Sequence, residues 1–339
     1  MTEPSEVPYF VRENVALASI GPQDDYLHPE RNRLIVDATL TETQYFGFSV
    51  PEARIQGLGY LWHHPNLKTV SGGLLVWRGV KLHMQQAELC DYRGFMSDAA
   101  LKNDLNAYRL DNGYGVAVLE PLKRHRMTYV EAGGRSSVDI EFEAVAPAVM
   151  YADGNHFEQA MRARGELILR GERHSVDCLT IRDRSWGKPR PENNYPIPPI
   201  SWMNAVFPSG TAFNCNMFDD ARENPELRGT PFEMPADKVV NGGWLYRDGK
   251  VGRIAKGSKR IERDPRTSIP LSIEIEALDE LGRTLNARAT MTAALPYQMW
   301  FNSLFVSAQL RWECDGEVTC GDSQEALWSD YLNRFRVCD

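Results

Sequence analysis

An antiparallel all-β fold, a sandwich or a barrel, is what the chain predicts, and three observations carry it. Several stretches alternate apolar and polar side chains with a period of two, the mark of strands with one buried face. Turn signals recur about every 8–12 residues, the spacing of antiparallel sandwiches and barrels. No strand–helix–strand pattern is visible, which counts against a parallel sheet.

In chain order, Arg109 to Leu119 reads as two strands around Asp111-Asn112-Gly113. Val138 to Val145 alternates cleanly. Glu166 to Leu169 and Ser175 to Ile181 flank the turn Arg170-Gly171-Glu172, and Trp244 to Tyr246 and Val251 to Ile254 flank Asp248-Gly249. Leu271 to Ala277 alternates again. Asn-Gly and Asp-Gly supply the positive φ that tight hairpins require. Helices are few: Ser97 to Asn103 is one turn or two. At the end, Asp322 or Ser323 can cap Gln324-Glu325, and Leu327, Trp328, Tyr331, Leu332 and Phe335 follow at helical spacing. That helix packs on a barrel or, its apolar stripe being broad, forms a dimer surface. Pro189 to Pro199 is a long extended loop, a connector or the roof of a pocket.

The chain has 339 residues, enough for about two domains. It carries 46 acidic and 38 basic side chains, a net charge of −8. That balance argues against a nucleic-acid binder, which needs clustered Lys and Arg. No apolar run reaches the roughly 18 residues of a transmembrane helix. The start, MTEPSEVPYF, lacks the basic and apolar regions of a secretory signal. Cys90, Cys178, Cys215, Cys314, Cys320 and Cys338 are scattered without a C-x-x-C pair. They read as reduced thiols in a cytoplasmic protein, although Cys314 and Cys320 could in principle pair. The nucleotide-binding, zinc-protease and nucleophile-elbow motifs are missing, and no cofactor is expected.

Aromatic residues gather in strand-like segments, among them Tyr60, Trp62, Trp77, Trp186, Trp202, Phe207, Phe213, Trp244, Tyr246, Tyr297, Trp300 and Phe301. They line a cavity for a greasy ligand or simply fill a core. Four polar patches interrupt them: Tyr60 to Asn66 with His63 and His64, His83 to Glu88, Asn155 to Gln159, and Thr180 to Arg190. His63 and His64 point to opposite faces of a strand, so only one enters a given cavity. In a strand, His83, Gln85 and Ala87 share one face, and Gln86 and Glu88 the other. In the last patch Ile181, Asp183 and Ser185 share one face, and Arg182, Arg184 and Trp186 the other. Burial would raise the Asp183 carboxyl toward neutrality and suit it to acid–base work. Equally, Asp183 could be half of a structural Asp–Arg pair. His63 or His64, His83, Glu88, His156 and Asp183 are available as metal ligands, but the H-x-H of a cupin-style site is absent, and no metal is expected.

The stretches His156 to Gly165 and Gly171 to Arg190, with Asp183-Arg184-Ser185-Trp186-Gly187 at their centre, resemble the hydroxyneurosporene synthase/AttH-like family. Trp62 to Asn66, Gly72-Gly73, Val76 to Gly79 and Glu88-Leu89 extend the likeness to about residues 25–320. The resemblance implies two lipocalin-like β-barrels packed together, with a cavity at or near their interface. The implied division is an N-terminal segment 1–24, barrels 25–165 and 166–321, and a C-terminal helix 322–339. It also implies addition or removal of water, or cyclisation, on hydrophobic isoprenoid or polyketide-derived molecules without a redox cofactor. The expected activity is a cofactor-independent lyase, and a lignin-type dimer losing water or formaldehyde fits the aromatic walls as well as a terpenoid or steroid. Asp183, with His63, Glu88 or a tyrosine as partner, is the expected acid–base apparatus. Trp62, His83, Arg182, Trp186, Trp202 and Tyr297 are the expected ligand contacts. A carrier without catalysis, an isomerase or cyclase, and a structural protein with filled barrels stay open.

Overall fold

The computed structural model describes residues 11–12, 14–191, 196–300 and 302–335. Phe301, Cys338 and residues 192–195 of the Pro-rich stretch lie outside the described residues. Eleven strands form the first sheet: Leu40–Val50 (β1), Ile55–His64 (β2), Thr69–Arg78 (β3), Leu89–Ser97 (β4), Ala107–Arg109 (β5), Gly115–Glu120 (β6), Arg124–Val130 (β7), Ser137–Ala144 (β8), Val149–Met150 (β9), His156–Leu169 (β10) and Glu172–Pro189 (β11). Their order is β4-β3-β2-β1-β11-β10-β8-β7-β6-β5, with β9 paired to β10. Eight more close a barrel in sequence order: Ile200–Val206 (β12), Ala212–Phe218 (β13), Val240–Arg247 (β14), Lys250–Arg263 (β15), Pro270–Asp279 (β16), Thr284–Tyr297 (β17), Ser303–Cys314 (β18) and Glu317–Trp328 (β19). The all-β double-barrel architecture is therefore present, the first unit as a curled sheet and the second fully closed.

The hairpins form where the turn chemistry placed them. Arg170 and Gly171 both have positive φ, as do Asp248 and Gly249, and each pair joins strands in perfect register. That is the type I′ geometry, whose twist matches the flanking strands. Ser97 to Asn103 gives a single 3-10 turn over Asp98–Leu101, with the Ser97 hydroxyl accepting from the Ala99 N–H.

Three boundaries differ from the sequence reading. β10 runs through residue 165, and β10 and β11 both belong to the first sheet, so the chain passes to the barrel between Pro189 and Ile200. The C-terminal helix is only Ser329–Phe335 (α1), because residues 322–328 continue β19, which closes the barrel between β18 and β12. Barrel closure outweighs the local helical spacing. Of that apolar stripe, Tyr331 and Phe335 pack on Phe232 within the chain. The third difference is His83, which caps a 3-10 turn at Met84–Gln86 instead of lying in a strand.

Each unit fills its own interior. Phe46, Phe48, Met127, Phe142 and their neighbours pack inside the first sheet, and Phe213, Met217, Leu245 and Trp312 inside the barrel. A third apolar cluster, with Tyr45, Trp62, Trp77, Ile181, Trp244, Trp300, Phe305 and Trp328, occupies the seam between the two units. This is why β1 is buried over all eleven residues: both of its faces are covered. The cavity that carries the candidate site lies between the units, at the interface where the family resemblance implied it. The five described cysteines are free thiols. No described helix is long and apolar enough to cross a membrane.

One glycine is required by this packing. Gly73 of β3 has φ +145°, and a Cβ there would lie 1.9 Å from the Asp91 carbonyl oxygen. Backbone cannot yield as a side-chain tip can. Gly73→Ala is expected to cost about 2 kcal/mol or more, read as a lower denaturation midpoint. An unchanged midpoint would contradict the close approach.

Candidate functional site

β11 sits at the centre of the first sheet, between β1 and β10. Asp183 stands opposite Glu158 of β10 and Tyr45 of β1, and Tyr45 stands opposite Tyr60 of β2. Opposed residues share a face with Cβ atoms about 4.5–5.5 Å apart, so four polar side chains form one row across the sheet. A second row holds His156, Ser185 and Thr43, with the Thr43 and Ser185 hydroxyls 2.7 Å apart. Both rows face the seam.

There they line a cavity of about 100 Å³, room for one small ring or the reacting end of a longer molecule. The barrel supplies its opposite wall through Trp202, Asn204, Asn214, Asp322 and Gln324. Trp300, Phe305 and Trp328 add an aromatic side. Three carboxyls, Glu158, Asp183 and Asp322, and three cations, Arg12, Lys188 and Arg190, complete the lining.

The carboxyls are poised differently. Desolvation, aided by the neighbouring Asp183, holds Glu158 well above the usual carboxylate range. Its Oε1 lies 3.1 Å from His156 Nε2, and its Oε2 is buried without a partner. Burial likewise keeps His156 neutral, far below the ordinary imidazole value. Asp183 is pushed up to about 6 by desolvation, with the Arg190 and Arg12 guanidinium groups pulling it back. Asp322 is raised by burial and accepts a 2.6 Å hydrogen bond from the Tyr45 hydroxyl. Neighbouring acids in one dry site cannot all ionise. Both members of the Glu158–Asp183 pair are raised by desolvation, Asp183 to about 6 and Glu158 well above the usual carboxylate range, so the pair is disposed to hold a proton.

Of the residues expected at the site, Asp183, Trp186 and Trp202 line the cavity. Tyr297 lies beside it, its hydroxyl 3.4 Å from Gln324 Oε1. Trp62 is behind the wall, edge-on to Trp300 with centroids 5.0 Å apart. The others are elsewhere. His63 shares the inward parity of Leu61 and meets Asp98 at 3.4 Å inside the first sheet, while His64 takes the seam side against Trp62. Glu88 accepts from the Arg78 N–H and the Lys81 ammonium, away from the cavity. His83 is exposed in its turn. Arg182 faces the interior of the first sheet and binds Asp25 at 2.7 Å and Gln159 at 2.9 Å. Among the described residues no three His, Cys, Asp or Glu side chains are placed to share an ion. Glu158, Tyr45, Asp322 and Arg12 were not among the expected site residues. Glu158 does lie in the third polar patch, two residues from His156, and shares its face.

Residues 21–329 match the family described as "Domain of unknown function (DUF7064)". No curated protein matches the chain. Among solved structures, an AttH-like protein from Nitrosomonas europaea superposes with a TM-score of 0.53 at 13% identity, covering 92% of this chain and 97% of that one. Kievitone hydratase from Nectria haematococca gives 0.48 at 11% identity, covering 95% and 99%. The first of these shows the shared fold.

Proposed function

The chain belongs to the DUF7064 family, a family without an assigned function, and from its seam cavity we propose that it is a lyase acting by general acid–base catalysis. The substrate is a hydrophobic or aromatic small molecule that loses, or in reverse gains, water or a similarly small neutral fragment. One observation carries this reading: an adjacent Glu158–Asp183 pair, one member held well above the usual carboxylate range and the other raised to about 6, opens into an aromatic-walled cavity. Pairs of acids whose proton affinities are driven apart by their surroundings supply an acid and a base together.

In the elimination direction the Asp183 carboxylate removes a proton from the carbon next to the departing hydroxyl. The C–H electrons become the new π bond as the C–O bond breaks. Glu158 gives its proton to the leaving oxygen, and water is released. Asp183 then returns its proton to Glu158, restoring the starting state. No electrons leave the substrate, so the step calls for no redox partner. Positive charge developing on carbon would meet the faces of Trp202, Trp300 and Trp328. The aromatic lining alone would serve a carrier equally well. The three buried acids would not, because an apolar ligand gains nothing from them.

The reading is tested by incubating the purified protein with hydrophobic alcohols, alkenes and lignin-type dimers and following loss or gain of water, or loss of formaldehyde, by mass spectrometry. The pH profile gives a sharper test. Asp183 must be ionised and Glu158 protonated, so kcat/KM should rise as pH increases through about 6. It should fall again at higher pH, where Glu158 loses its proton. A profile flat from about pH 5 to 9 would exclude the pair as acid and base.

A further inference from the structure

Three cationic side chains, Arg12, Lys188 and Arg190, line the cavity. Arg12 and Lys188 share one carboxylate, Asp153: the Lys188 ammonium donates to its Oδ2 at 2.7 Å, and Arg12 Nε lies 3.5 Å from the same oxygen. Arg12 Nη1 is buried with no hydrogen-bond partner among the described residues. Arg190 lines the same cavity, and its guanidinium donates to the Ser185 hydroxyl. Among the described residues Asp153 is the shared counter-ion of Arg12 and Lys188, and Asp183 adds a charge that is lost below about 6. Glu158 and Asp322, both raised, hold protons more readily than ordinary carboxyls.

Arg12 is also firmly placed. Its backbone N–H donates to Asn241 Oδ1 at 2.7 Å, and Asn14, two residues on, donates to the Ile254 carbonyl at 2.9 Å. Further along, the Ala18 N–H bonds the Met150 carbonyl at 3.0 Å. The N-terminal segment is thus fastened to both units. The guanidinium lies 5.0 Å from the Tyr151 ring centroid, and the Tyr151 hydroxyl is fixed by Asn214 at 2.8 Å. A buried guanidinium with an unused donor is costly unless something accepts from it.

We propose that the substrate carries an anionic oxygen group, a carboxylate or a phenolate, that docks on Arg12 while its apolar ring lies against the seam aromatics. This rests on the lyase reading only for the word substrate; the binding site stands on its own geometry. Arg12 is a binding residue here, and the acid pair is left to the chemistry. The anion would sit at the cationic end formed by Arg12, Lys188 and Arg190, and the departing group near Glu158.

Calorimetric titration with three probes tests it: cinnamate, methyl cinnamate, and 4-nitrophenol at a pH where it is ionised. Cinnamate and its ester share a ring and differ in one charge. Wild-type protein should bind an anionic probe about tenfold or more tightly than the ester. Tighter binding of cinnamate names a carboxylate, and tighter binding of nitrophenolate a phenolate. Arg12→Gln should remove the preference and leave ester affinity within about twofold, and Arg12→Lys should restore part of it. Equal affinities for anion and ester in the wild type, a preference that survives in folded Arg12→Gln, or no binding of any probe by folded wild type would overturn the proposal. No turnover is needed for these readings. A protein that binds cinnamate through Arg12 but transforms nothing would keep this inference and remove the lyase.

Discussion

Asp183→Asn should lower kcat/KM by about 10²–10⁴-fold while ligand affinity stays nearly unchanged. The amide matches the carboxylate in size but neither takes nor gives a proton at neutral pH. It also removes the like-charge conflict with Glu158, so the variant should fold at least as well as the parent. Binding is read from quenching of Trp202, Trp300 and Trp328, which line the cavity. Turnover within a few-fold of wild type would leave Asp183 a structural group. Loss of binding together with loss of turnover would mean that the side chain holds the ligand and does not act on it.

Arg182→Met should cost about 3–5 kcal/mol of stability and leave the ligand contacts intact. Although Arg182 lies one residue from Asp183, it is fully buried on the other face of β11. Its partner Asp25 is equally buried. Burial alone would raise the Asp25 carboxyl, yet Arg182 and His125 hold it well below the ordinary range. Taking away the guanidinium strands that charge in the interior. The measurement is a denaturation midpoint, with the m-value checked for constancy. The double variant Asp25→Asn with Arg182→Met should recover part of the loss, because no lone charge remains. A stable Arg182→Met protein with weakened ligand binding would restore the ligand-contact role first expected of this residue.

The two substitutions show which level of the structure the sequence carries. Face parity within a strand is local, and so the separation of Asp183 from Arg182 and Arg184 was legible from alternation alone. So were the hairpins at Arg170-Gly171 and Asp248-Gly249, whose turn residues act over a few positions. Pairing between strands is not local. That Glu158 lies opposite Asp183, and Tyr45 beside them, depends on which strands become neighbours and in what register. Asp322 was obscured for a related reason. Its surroundings have helical spacing, and only closure of the barrel turns them into β19. β1 gives no alternating signal because both its faces are covered. For His63 and His64 the sequence states only that one faces each way, and register decides that His64 takes the seam.

The chamber lies on the seam, so neither half of the chain contains it. The first sheet contributes the proton-carrying pair and the second unit most of the aromatic roof, while the amino-terminal stretch bridges them with Arg12. Either half alone would present these same side chains to open water, where acids ionise normally and rings gather no guest. The roof and the acids sit on different units, so a substitution in the roof can change the guest without touching the reagents.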